Sequence, residues 1–140
     1  MNANQRAGSI EFLEFLADIS NPATGEISAD RLATWLCHTQ SDLHAQWRLR
    51  GMNVPWAFFA DEILSVLDAA QDQTCDLEVT VEWYLRQPLE IFGKLTPEQL
   101  VTHGRARHLV TAIRAREIRV FCNKPLTATS LRLHGKNPTA

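Results

Sequence analysis

A chain of 140 residues, 45% apolar and 21% charged, has the composition of one folded domain that buries about two-thirds of its unfolded surface, well away from the disordered and low-complexity classes. Three widely spaced cysteines, Cys37, Cys75 and Cys122, form no CxxC pair, which argues against a disulfide scaffold or zinc knuckle and for a reducing compartment. The net charge of -2 hides a split: residues 1–93 carry 5 Lys and Arg against 14 Asp and Glu, while residues 94–140 carry 9 against 2, so the two ends are expected to face different partners or each other.

Glu11, Glu14 and Asp18 interrupt the only early apolar run, and no run approaches eighteen apolar residues. A cytoplasmic protein with neither signal peptide nor membrane span is expected. SIEFLEFLAD, residues 9–18, sets Ile10, Phe12, Leu13 and Leu16 at helical spacing behind a possible cap at Ser9, predicting a short helix. NPATGE, residues 21–26, is a turn. Ser28 then caps a helix with a stripe of Ala29, Leu32, Ala33 and Leu36, and after Cys37 and His38, Thr39 caps a third helix that runs towards Arg50 and stops at Gly51, Asn53 and Pro55.

Residues 56–70 form the clearest helix, with Trp56, Phe59, Ala60, Ile63, Val66, Leu67 and Ala70 on one wide stripe. Residues 76–86 alternate like a strand at Leu77, Val79 and Val81 and repeat like a helix at Leu77, Val81, Tyr84 and Leu85; helix is the reading adopted. Pro88 forbids the residue before it from staying helical, and Gly93 permits a turn. Thr96, Pro97 and Gln99 supply the cap, first residue and capping-box partner of a new helix that Gly104 stops. A basic helix over 104–119 follows, with Ala106, Leu109, Val110 and Ile113 inside and Arg105, Arg107, Arg114 and Arg116 mostly outside. Ile118, Val120 and Cys122 alternate, leaving a short strand and a fraying helix end equally open, and residues 123–140 read as a flexible basic tail.

The fold class expected is mainly α, a compact multi-helix domain. Trp83, Phe92, Leu100 and Val110 are assigned to packing, as are Trp35, Trp47 and Trp56, for which a dimer interface is the second possibility. His38 and His44 lie six apart and His103 and His108 five apart, spacings that do not share a helical face, so no metal and no other cofactor is expected. No GxSxG elbow, HExxH, P-loop or dinucleotide fingerprint occurs, and no catalytic residue is assigned.

Trp83, Pro88, Phe92-Gly93-Lys94, Thr96-Pro97, Leu100-Val101, Gly104-Arg105-Ala106 and Val110 together resemble the toxin-binding C-terminal domain of the Xre/MbcA/ParS-like antitoxin family. Leu32, Ala33, Leu36, a short turn and Leu43 look like the Xre-type helix-turn-helix that precedes it there, so the likeness spans about residues 28–120. It implies a helix-turn-helix region (28–74) and a short-helix toxin-binding-like unit (75–122); the N-terminal helix and turn (1–27) and the basic tail (123–140) lie outside it.

It further implies a non-enzymatic homodimer that binds and neutralises a partner toxin, for instance a RES-type enzyme that degrades NAD, and that represses its own operon by binding operator DNA. A charged outer face is on pattern alone a solvated one; the resemblance makes Arg105, Arg107 and His108 the expected toxin contacts. If 39–50 is a recognition helix, Gln40, Ser41, His44 and Arg48 are its outward DNA candidates, with only Arg31, Arg48 and Arg50 nearby to neutralise phosphates. Cys37 stands at the turn position usually held by Gly, and His38 where the family has an apolar residue. Both changes weaken the corner, since a left-handed residue with a side chain costs on the order of 1 kcal/mol. The alternatives are a transcriptional regulator without a toxin and a solitary interaction module with a degraded helix-turn-helix.

Overall fold

Four of the helix starts among the described residues are set by side-chain oxygens. Ser28 accepts from the Arg31 N–H, Asp76 from the Val79 N–H, and Thr39 and Thr96 each form a reciprocal capping box, with Asp42 and Gln99 respectively. In the computed structural model, which describes residues 3–51, 53–74 and 76–120 with side chains from residue 11 onward, these caps open α2 (Ala29–Trp35), α3 (Gln40–Arg50), α5 (Leu77–Arg86) and α6 (Pro97–Thr102). The other helices are α1 (Ala3–Ile19), α4 (Trp56–Thr74) and α7 (Ala106–Arg114). The described residues contain no strand, only isolated bridges between Ser20 and Ile27 and between Leu89 and Leu95.

The stops are as specific as the starts. After α2, α6 and α7 the chain closes a Schellman motif, in which the left-handed residue is Cys37 (φ 61°), Gly104 (φ 79°) and Arg116 (φ 64°) in turn. In each, two backbone N–H groups return to the last turn: His38 to Ala33 and Cys37 to Thr34, Arg105 to Leu100 and Gly104 to Val101, Glu117 to Ala112 and Arg116 to Ile113. Gln87, ahead of Pro88, is extended at ψ 111°, as the proline ring requires.

Among the described residues, seven helices converge on one apolar core. Phe15, Ile19, Leu32, Leu36, Leu43, Phe59, Ile63, Leu67, Trp83, Leu100 and Leu109 are all fully buried. Helix α4 is its axis and packs on α1, α3, α5, α6 and α7. The fold is therefore a compact, mainly α multi-helix domain, in which α2 packs on α3 and α3 also packs on α6. No described helix is long and apolar enough to cross a membrane.

Four expectations need correction. The first helix does not start at Ser9 but runs from Ala3, with Gly8 carried inside it; its inward face is Phe12, Phe15 and Ile19, and Leu13 is 61% exposed. Helix α4 continues to Thr74. Helix α7 stops at Arg114, short of 119, because the Gln73 side chain donates to the carbonyls of both Ile113 and Ile118 while Arg116 turns left-handed. Residues 115–120 are consequently neither strand nor helix end: Ile118 and Val120 are tucked in individually, and the Val120 N–H donates to Gln73 Oε1 at 3.1 Å. Cys122 and the tail 123–140 lie outside the described residues.

Cys37 provides a stability test. Its backbone is that of a left-handed cap, where glycine has no Cβ penalty, so Cys37→Gly is expected to raise unfolding free energy by about 1 kcal/mol in urea titration. An unchanged or lowered midpoint would contradict the strain assigned to this position.

Candidate functional site

The inner face of α7 is fixed by Ala106, Leu109, Ala112 and Ile113, all buried against the core. This leaves Arg105, Arg107 and His108 exposed on the outside, as the helical spacing requires. Arg105 lies over the half-buried Phe92 ring, its guanidinium 5.2 Å from the centroid, a cation–π contact that fixes its direction without neutralising it. Arg107 borders a groove between α4 and α7 with Phe58, Asp61, Glu62, Ser65, Val110 and others. Arg114, about two turns further, is 3.6 Å from Asp68 and 3.5 Å from Asp72 on α4. The basic helix is thus anchored to the acidic half at its end while its first turn stays free.

The other motif residues are structural. Trp83 and Pro97 are buried, Thr96 is half-buried at its cap, and Gly93 (φ 69°) ends the 3₁₀ turn Glu90–Phe92. Pro88 is exposed. Leu100 is fully buried as expected; Phe92 and Val110 are only half-buried, closer to the surface than a core assignment implies. Trp47 and Trp56 pack edge to face at 5.6 Å and donate to the carbonyls of Val54 and Ile27. Trp35, 37% exposed, packs on Phe15 and donates to Asp18.

On α3, Gln40, Ser41 and Arg48 are exposed, whereas His44 is half-buried with its ring edge-on to Trp47 at 5.8 Å. The other two arginines of this region are already paired. Arg31 bonds Asp18 at 2.9 Å. Arg50 is held by both oxygens of Glu62, at 2.8 and 2.9 Å, with 19% and 14% of the two side chains exposed. Hydrogen bonding to Glu62 raises the Arg50 guanidinium above its ordinary value, burial works against this, and the carboxylate charge adds to the rise. Only Arg48 remains to meet a phosphate.

Sequence reading missed the seam that joins the two halves. His38 Nε2 stands 2.5 Å from Glu98 Oε2 on α6, and Gln46 Nε2 donates to the same oxygen at 3.0 Å. His38, at the corner after α2, thus ties α2–α3 to α6. Beside it, a Cβ on Gly104 would sit 3.3 Å from the Arg50 guanidinium, so this glycine serves a left-handed cap and a close approach together. The partners are 60 and 54 residues apart in the chain, and no local spacing signals them.

Among the described residues no His, Cys, Asp and Glu side chains group so as to hold a metal ion. No family model matches the chain, and neither a curated protein nor a solved structure matches it significantly.

Proposed function

We propose that this protein is antitoxin-like: it binds a partner toxin through the outer face of α7 and blocks it by occlusion, without chemistry of its own. The observation that carries this reading is the first turn of α7, where Arg107 and His108 stand exposed with no ion pair or hydrogen bond among the described residues, beside Arg105 on Phe92. Unpaired arginine with an aromatic neighbour on a rigid element is the composition of an interface centre. The likeness of residues 83–113 to the Xre/MbcA/ParS-like unit names the partner class, a toxin such as a RES-type NAD-degrading enzyme, and a homodimer as the working assembly.

The test is co-expression with the product of the neighbouring reading frame, followed by pull-down and toxicity assay. Arg105→Glu with Arg107→Glu is expected to weaken capture about tenfold or more, with melting temperature little changed because both side chains are exposed. Full capture by the double variant would remove this surface from the site; no complex with the unaltered chain, and persisting toxicity, would end the antitoxin reading.

Operator binding is the secondary part of the proposal. Helix α3 offers Gln40, Ser41 and Arg48, but with Arg31 and Arg50 committed to carboxylates its phosphate contacts are few. This pairing favours an interaction module with a degraded helix-turn-helix over a stand-alone regulator. A gel shift with upstream DNA at low salt, where phosphate contacts are strongest, decides whether any operator binding exists.

A further inference from the structure

A second surface opens at the end of α2, next to the corner that holds His38. One face of α5 along its length, Trp35 and Cys37 after α2, and Glu11 of α1 border a groove of about 410 Å³. Its floor is apolar, formed by Leu77, Val81 and Leu85 at successive turns of α5 and by the partly exposed Trp35. Its rim is acidic. Glu11, Glu78 and Glu82 line it, against a single guanidinium, Arg86, which is already paired to Glu82 at 2.9 Å. Such a groove fits a segment that alternates apolar and cationic side chains.

The chain itself carries one. Residues 121–140 contain Lys124, Arg132 and Lys136, no Asp or Glu, and three leucines, two of which, Leu131 and Leu133, flank Arg132. The geometry brings it within range. The Val120 N–H is bonded to Gln73 Oε1, and Leu77, where the groove begins, is four residues on from Gln73, hence no more than about 15 Å away. The eleven residues from Val120 to Leu131 span up to about 36 Å. We propose that segment 121–140 docks onto this groove of its own chain, placing its leucines on the apolar floor and its cations at the carboxylate rim. This inference is independent of the antitoxin reading, which concerns α7.

Cys37 lines the same groove and is exposed in the described structure, so it reports occupancy. In the full-length protein, alkylation of Cys37 followed by peptide-resolved mass spectrometry is expected to be slow. It should accelerate about fivefold or more in the full-length variant Leu131→Asp/Arg132→Glu/Leu133→Asp, and likewise in Glu78→Lys on the rim, since a groove occupied about four-fifths of the time shields the thiol by that factor. Circular dichroism of both variants should match the parent. Equal alkylation rates in parent and both variants would overturn the proposal, and so would shielding that disappears on dilution, which would assign the groove to a second copy's segment.

Discussion

Glu62→Ala is expected to cost about 2–3 kcal/mol of unfolding free energy, among the largest single-residue losses outside the apolar core. The reason is what it leaves behind. The guanidinium of Arg50 lies under Phe58 (5.9 Å to the ring centroid) and against Gly104, with most of its side chain withdrawn from water. Without Glu62 its charge keeps the desolvation and loses both charge-assisted bonds. Fully buried pairs lose about 3–5 kcal/mol when broken this way; residual exposure of 19% lowers the figure here. Replacing both partners, Arg50→Met with Glu62→Leu, is expected to recover most of the loss, because the expense lies in the orphaned charge and not in the absent attraction. Urea titration of the single and double variants reads both numbers; a double variant as unstable as Glu62→Ala would show that the attraction within the pair, not the orphaned charge, is what is lost.

That pair also marks the boundary of what local pattern reveals. The caps were legible because capping is a matter between neighbours: Ser28 to Arg31, Thr39 to Asp42, Thr96 to Gln99. The stripes of α4 and α5 were legible for the same reason, since burial repeats with the helix. Arg50 was grouped with phosphate-neutralising residues because its sequence neighbours allow it; its true environment is made by Glu62 and by Gly104, which folding alone brings near. The end of α7 was misjudged likewise. Gln73 competes for the carbonyls of Ile113 and Ile118 from 40 residues or more away, and no feature of residues 104–119 announces it. Leu13 shows the opposite error: an apolar residue at plausible spacing that the helix turns outward.

The candidate site divides along the same line. That Arg105, Arg107 and His108 face outward follows from the buried positions of one amphipathic helix, so periodicity sufficed. Which arginines remain unpaired did not follow, because Arg31, Arg50 and Arg114 find their carboxylates on other helices. Net charge by segment therefore overstated how much positive surface is free.

The second large effect belongs to Tyr84, the sole tyrosine of the chain. Its side chain is 1% exposed and its hydroxyl has no hydrogen-bond partner among the described residues. Tyr84→Phe removes that unsatisfied buried oxygen and keeps the ring, so a gain of about 1–2 kcal/mol is expected at pH 7. The alkaline limb gives a sharper reading. Burial holds the Tyr84 hydroxyl well above its ordinary range, and the charges of Glu98 and then Glu62 push it the same way. The folded state thus keeps a proton that the unfolded chain releases near pH 10. Above that pH the unfolded state binds fewer protons, and stability falls by up to about 1.4 kcal/mol per pH unit from this group until the folded tyrosine itself ionises. In Tyr84→Phe this contribution is absent, so the stability difference between variant and parent is expected to widen from pH 10 to 11. In the parent, absorbance of the single tyrosinate should rise together with loss of helical circular dichroism. A tyrosinate signal near pH 10 in protein that is still helical would place the hydroxyl in contact with solvent and defeat the argument for its burial.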